Sequence, residues 1–249
     1  MNKNLMILAG LVAGGIGQAA SAAVLFDSHG FEAPFYATGN LVGQNGWLVD
    51  NNPPGPFTVE NTFAQAGTQA ARATGGGTGT NWTFPDLSYT PAPGEIITIH
   101  ADLARTLGTT ASFGYLIDIY APTGRIARAG LGNNAGQIVP LVTTLNSTGA
   151  PANFLVNNET YQANQWVSFD IALNFAAQTF DLSVNGGPAL TGLPFVGAGT
   201  SLADADFQVS TAAGANDVGY LDNYLVQTVP TPGALALLGL GGLAARRRR

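Results

Sequence analysis

Residues Trp166–Phe195 read WVSFDIALNFAAQTFDLSVNGGPALTGLPF. Val167, Phe169, Ile171 and Leu173 fall on one side of this run, and Trp166, Ser168, Asp170 and Asn174 on the other. Phe180, Leu182 and Val184 then alternate with Asp181 and Ser183, up to Asn185-Gly186. That dipeptide favours a hairpin turn, because both of its positions tolerate positive φ. A period of two with one apolar side marks antiparallel strands that lay one face on a core.

Working outward, the same alternation recurs. In Ile96–Leu103, Ile97, Ile99, Ala101 and Leu103 oppose Thr98, His100 and Asp102; in Phe113–Tyr120, Phe113, Tyr115, Ile117 and Ile119 oppose Gly114, Leu116, Asp118 and Tyr120. Arg125–Leu131 is a further strand with a polar side, and Asp206–Thr211 and Val218–Val226 close the run. Upstream, Ala23–Asp27, Phe57–Glu60, Gln69–Ala73 and Trp82–Phe84 are short strand candidates. Asn51–Pro56 (NNPPGP) and Thr74–Thr80 are loops by composition, and Gly132–Asn158 reads as a loose segment. No internal helix, repeat or domain boundary interrupts the pattern. The expectation is an all-β chain, folded from 23 to 228 as a single antiparallel jelly-roll β-sandwich.

Both ends differ from this body. Met1–Ala22 has a basic Lys3, an apolar Leu5–Ile16 and an Ala20-Ser21-Ala22 cleavage site, the pattern of a secretory signal peptide. At the other end, 229–249 reads VPTPGALALLGLGGLAARRRR. Thr231 can cap a helix that starts at Pro232, and from Gly233 to Ala245 no side chain is polar. A helix apolar on every face is made for lipid or burial. At about 1.5 Å per residue this one reaches only about 20 Å, short of the roughly 30 Å hydrocarbon layer. The terminal arginines fix its end on the cytoplasmic side. The expected topology therefore puts the body outside and the arginines inside.

Between the ends lie all fifteen acidic residues against four arginines, so the body carries −11 where the whole chain carries −6. Such a body does not take nucleic acid or anionic lipid as partner. There is no cysteine, so neither disulfide nor thiol chemistry is available.

The tail resembles the PEP-CTERM sorting signal of bacterial exported proteins. Pro230 and Pro232 match its two prolines, Leu235–Ala245 its helix, and Arg246, Arg247, Arg248 and Arg249 its basic cluster; Thr231 stands where the family has Glu. The resemblance implies an exported protein that an exosortase-type enzyme processes at the inner membrane and passes to the cell surface or extracellular matrix. Trp166–Phe195, together with FEAPFYATGNLVGQNGW (Phe31–Trp47) and GYLDNYLV (Gly219–Val226), is similar to concanavalin A-like lectin/glucanase and laminin G-like sandwiches. That likeness implies the architecture and leaves activity open.

Many such sandwiches are glycosidases with an E-x-D-x-x-E run that sets two carboxylates side by side. Here the four glutamates are isolated, and the acidic pair at spacing two, Asp204/Asp206, sits at a strand start. No Gly-x-Ser-x-Gly elbow or phosphate loop is present. The expectation is therefore a non-catalytic exported domain, with a glycoside hydrolase or lyase as the alternative. Were the central strands to share a sheet, His100, Asp102, Asp118, Tyr120, Trp166 and Asp170 would form one polar face, where Tyr120 and Trp166 can stack on sugar rings of a polysaccharide. First and last strands often pair in jelly rolls, which brings Asp27 or Glu32 towards Asp222-Asn223 as oxygen ligands for a structural Ca²⁺, the one cofactor expected.

Overall fold

The computed structural model describes residues 22–49, 57–75, 81–106, 112–209 and 217–229. Apart from Ala22 and Val229, the signal peptide and the sorting segment with Pro230, Thr231, Pro232 and Arg246 to Arg249 lie outside these residues. Among the described residues no helix is long and apolar enough to cross a membrane.

The strands, in chain order, are β1 (Val24–Asp27), β2 (Gly39–Asn40), β3 (Trp47–Val49), β4 (Phe57–Glu60), β5 (Ala70–Thr74), β6 (Asn81–Pro85), β7 (Ile96–Arg105) and β8 (Ser112–Ala121), then β9 (Gly124–Asn134), β10 (Gln137–Leu145), β11 (Pro151–Leu155), β12 (Val167–Asn174), β13 (Thr179–Val184), β14 (Leu190–Pro194), β15 (Asp204–Val209) and β16 (Val218–Val229). Among the described residues one sheet has nine strands, in the order β14-β13-β12-β7-β16-β5-β4-β2 with β1 also on β16, and the other has seven, β11-β10-β9-β8-β15-β6-β3. All pairings are antiparallel, and the two sheets close on one core. This is the expected sandwich.

The alternation explains the core. Phe169 pairs with Ala101 and Ile171 with Ile99 on the nine-stranded sheet, and Ile117, Ile119 and Phe207 face them from the seven-stranded one. Each such aliphatic or aromatic side chain contributes about 1.5–3 kcal/mol by leaving water. Asn185 and Gly186 take φ of 49° and 65° and turn β13 into β14, as the dipeptide predicts.

One segment departs from the expectation. Gly132–Asn158 is not loose but holds the end of β9 and all of β10 and β11. In β10 the run Ile138–Val142 has no polar break, because Ile138 and Val142 enter the core while Val139 and Leu141 pack outside with Leu116. Burial on both faces removes the period that marks a strand.

The last strand is shared along its length. Its first part, Val218–Leu221, pairs with β5, and its later part, from Leu225, pairs with β1. The register against β7 slips between Asp222 and Leu225, and Asn223 adopts φ 49°. This bulge leaves Asn223 and Tyr224 out of the ladder with β7 at the point where one neighbour replaces another.

Candidate functional site

The six residues expected on one polar face divide between two. β7 and β12 share the nine-stranded sheet, so His100, Asp102 and Asp170 stand together on its outer side with Trp166 just before β12. β8 belongs to the other sheet, so Asp118 and Tyr120 stand on the opposite outer face of the sandwich. The sequence pattern gives each strand's faces but not which strands neighbour one another, and the shared-sheet premise fails there.

On β8, Tyr115, Ile117 and Ile119 enter the core, which turns Asp118 and Tyr120 outward. β15 runs beside it with Asp204 opposite Tyr120 and Asp206 opposite Asp118. β6 follows, with Thr83 opposite Phe207 and the half-buried Trp82 and Phe84 on either side of it. Together they form an open groove of about 360 Å³, lined by Trp82, Phe84, Tyr120, Pro122, Asp204 and Asp206. Its floor is tied down. The fully buried Asp118 accepts from Arg128 Nε at 3.2 Å and from Nη2, and Arg125 Nη1 lies 3.6 Å away. Arg128 Nη2 also donates to Gln208 Oε1 at 3.0 Å, and the Tyr120 hydroxyl donates to Asp118 Oδ2 at 3.3 Å. Burial, then Asp118 and Asp206, push the Tyr120 phenol well above its ordinary range, so it remains a donor. The ring is thus held in place before any ligand arrives, which lowers the cost of binding.

Trp82 and Phe84 were legible only as a short strand. Nothing in the sequence turns these two rings outward, with Thr83 inside, or sets them beside Tyr120.

On the other face, His100 Nδ1 lies 2.7 Å from Asp170 Oδ1, and Nε2 lies 3.6 Å from Asp102 Oδ1. Burial works to raise the Asp102 carboxyl, but hydrogen bonds from His100, Asn223 Nδ2 (2.8 Å) and Ser168 Oγ outweigh it and hold it low. Asp102 foremost, with Asp170, raises the imidazole from its ordinary 6.5 to about 9 against the opposing pull of burial. The ring is therefore a cation at neutral pH. Because the folded value is raised, the bridge contributes its full stability below about pH 6.5 and loses it as pH climbs through about 9. An NMR titration of the imidazole should find its midpoint near 9; a midpoint at or below the ordinary value would show that the bridge does not form in solution. His100, Asp170, Ser183, Gln227 and Val229 also border a mainly apolar hollow of about 370 Å³.

Trp166 is not an open platform. Phe63, from the loop between β4 and β5, stacks on it with centroids 5.0 Å apart and planes 8° apart, and Tyr220 closes in at 6.2 Å. With Phe63 on one face and Tyr220 tilted against it, the ring does not stand as a bare platform. The covering residue comes from a loop distant in sequence, which alternation in β12 cannot reveal.

The residues expected to bind calcium meet in part. β1 does pair with β16, and the turn after β1 carries three successive positive φ values, at His29, Gly30 and Phe31. A Cβ placed on Gly30 would stand 3.6 Å from both Asp222 Oδ1 and Asn223 Oδ1 and 3.8 Å from Glu32 Cγ, so these three converge on that glycine. Asp27 instead accepts from the His29 N–H at 2.6 Å. Glu32 accepts from Thr68 N (2.5 Å), Gln69 N (2.6 Å) and Thr68 Oγ1 (2.8 Å), bonds that hold its carboxyl low in spite of burial. Asp222 Oδ2 accepts from Gln65 N and Ala66 N at 2.9 and 3.1 Å, yet burial pushes its carboxyl up to about 6. Two buried oxygens of the same segments, Ser28 Oγ and Gln69 Oε1, have no hydrogen-bond partner among the described residues. Among the described residues no three His, Asp or Glu gather to hold a metal. A cation here would rest on Glu32, Asp222, Asn223 and uncharged oxygens, a hard donor set that suits Ca²⁺.

No protein-family model matches the chain, and no curated protein matches it. Solved structures do. A sialidase aligns with 76% of this chain at 11% identity and a TM-score of 0.53, and the chain spans only 17% of that protein's length. An alginate lyase from Alteromonas sp. 272 aligns with 77% of the chain and 91% of its own at 11% identity and a TM-score of 0.42. The CBM22-1 xylan-binding domain from Paenibacillus barcinonensis Xyn10C aligns with 86% of the chain and 99% of its own at 16% identity and a TM-score of 0.40. The likeness to the sialidase is one of fold: a two-sheet antiparallel sandwich.

Proposed function

We propose that the protein is an exported, non-catalytic β-sandwich that binds polysaccharide in the groove of the seven-stranded sheet. The observation that supports it best is the grouping of Trp82, Phe84 and Tyr120, three half-buried rings beside Asp204 and Asp206. Rings offer apolar faces to sugar C–H groups, and carboxylates accept the hydroxyls. Trp82→Ala and Tyr120→Ala are expected to weaken binding to a retained polysaccharide at least tenfold, about 1.4 kcal/mol, with the melting transition nearly unchanged. Affinity electrophoresis across a panel of glycans measures it. Variants that fold and bind like the parent would remove the groove from consideration.

One observation favours a second reading, a glycosidase: Asp204 and Asp206 both line this groove. Shortening of a bound oligosaccharide, abolished by Asp204→Asn or Asp206→Asn, would establish it.

The reading of the ends belongs to the same proposal. The Pro230–Arg249 arrangement directs the exported chain to the inner membrane, where an exosortase-type enzyme removes the tail and releases the body to the surface or matrix. Deleting Gly233–Arg249 in the native host should change both the location and the mature mass. A truncated protein with the parent's location and mass would sink the sorting reading, and Thr231→Glu should leave processing intact.

A further inference from the structure

We infer that two copies of this protein join edge to edge through β11, antiparallel and with Phe154 opposite Phe154, so that their seven-stranded sheets run on into each other. Among the described residues the sheets have five free edges: β11 and β3, β14 and β2, and β1 beside β16. A free edge offers unpaired N–H and C=O groups to any other strand, and folds usually blunt it. Four of these are blunted. β2 and β3 have only two and three residues, and β1 slips register after Val24 and ends on Asp27. β14 carries a register shift, Gly192 at φ 66° and a closing Pro194. In β11, by contrast, Pro151 to Leu155 pair with Leu145 to Leu141 without a shift, and the one proline stands at the first position.

The register fixes which groups of β11 are free. The Val156 N–H donates to Pro140 O at 3.0 Å, so the main chains of Phe154 and Ala152 also turn towards β10. Asn153 and Leu155 therefore direct both N–H and C=O away from the sheet. In an antiparallel pairing centred on Phe154, Asn153 of each copy faces Leu155 of the other, and each such pair exchanges both of its hydrogen bonds. Phe154 meets its own counterpart in the close position between them, where an aromatic pair adds stability. Phe154 and Leu155 are 40% and 39% exposed, so neither ring nor side chain has to leave the core to make this contact.

Charge favours this edge and this occupant. No charged residue occurs from Ala129 to Asn158, the span that holds β10 and β11, in a body that carries −11. Two such bodies repel, and here their backbones can meet with no carboxylate on either strand. A charged partner finds nothing to pair with on β11, whereas an identical edge supplies matched free groups about a two-fold axis. That axis stands perpendicular to the sheet, so the grooves beside Tyr120 would open on the same side of the pair. The pairing does not depend on what those grooves bind.

The test exploits the lack of cysteine. Phe154→Cys introduces the only thiol, and a disulfide between two copies closes only where the two positions meet. Under mild oxidation this variant should cross-link several times faster than Leu155→Cys, which is as exposed but diagonal to its counterpart, about 7–8 Å away. Sedimentation of the exported protein should show monomers passing into dimers as concentration rises. Raising the salt from about 0.02 M to about 0.3 M should tighten the dimer, because the repulsion is screened. Phe154→Lys sets two ammoniums face to face and should raise the dimer dissociation constant at least about tenfold, with the monomer's melting temperature nearly unchanged. Leu155→Pro removes an outward N–H at a place where an edge strand tolerates proline, and should weaken the dimer likewise. A parent that stays monomeric throughout, equal cross-linking at 154 and 155, or a dimer that salt loosens would overturn the inference. So would a dimer left intact by both Phe154→Lys and Leu155→Pro, which would place the contact at another edge or in the 233–249 tail. The sedimentation of the parent and its salt dependence need no variant to fold.

Discussion

Replacing Asp217 with alanine is expected to destabilise the protein by about 3–5 kcal/mol, the cost of leaving a buried cation without its partner. Arg105 ends β7 and Asp217 precedes β16, and both side chains are fully buried. Arg105 Nε lies 2.9 Å from Asp217 Oδ2 and 3.2 Å from Oδ1, and Nη2 makes a second bond to Oδ2. The guanidinium also lies against the Tyr115 ring at 5.8 Å, and the Tyr115 hydroxyl donates to Asp217 O at 2.6 Å. Nothing lets the arginine retreat. A Cβ at residue 114 would fall 2.4 Å from its Cζ, and one at 219 would fall 2.0 Å from the Tyr115 ring, which is why both positions are glycine. Among the described residues Nη1 already lacks a hydrogen-bond partner. The denaturant midpoint should therefore fall with an unchanged slope, and the melting temperature should drop by roughly 10 °C. Removing both charges together, Arg105→Met with Asp217→Leu, should recover most of the loss, because the pair's own desolvation cost vanishes with it. If single and double replacements are equally damaging, packing rather than the unpaired charge carries the effect.

Arg105 and Asp217 show where the sequence stops being readable. Both sit near ends of strands whose inner rows are plain, and 112 residues separate them. Period two assigns a side chain to a face, so β7, β12 and β13 and their core rows were legible residue by residue. It says nothing about which strand lies next to which. Tyr120 faces outward as its alternation with Ile119 requires, and Trp166 was also off the core, but they are on opposite sheets. Asp102 was expected on a polar face and is there, yet it is buried under Asn223 and Ser168, which come from two other strands. The groove had one legible wall. Tyr120 was visible from β8, whereas Trp82 and Phe84 join it only because β15 brings β6 alongside. The pairing of first and last strands was the one long-range contact to be foreseen, and it rests on the habit of the architecture rather than on any local pattern.

That pairing leads to the second large effect. Calcium bound by the native state alone should raise stability by about 2.7 kcal/mol at a hundredfold excess over its dissociation constant. The reason lies at the bulge. There β1 replaces β5 beside β16, and the chain has to stop one ladder and start another around Asp222, Asn223 and Gly30. Glu32 and Asp222 each gather N–H donors from the Gln65–Gln69 loop, so the two carboxylates clasp that loop to the strand junction. A cation between them would neutralise charge that burial makes unfavourable and would engage oxygens such as Ser28 Oγ and Gln69 Oε1 that hydrogen bonds leave idle. After stripping with chelator, the protein should melt at a lower temperature and recover on adding Ca²⁺ in a concentration-dependent way. An acidic body of −11 is also steadied by any divalent ion through screening. Two controls separate the effects. Mg²⁺ at matched ionic strength should reproduce only a small part of the rise, because it sheds its water reluctantly and demands a tighter octahedral cage. Asn223→Ala and Glu32→Gln should each lose most of the calcium response even where the chelated variants melt close to the chelated parent. An identical response to both ions, kept in both variants, would assign the stabilisation to screening and leave the junction held by its hydrogen bonds alone.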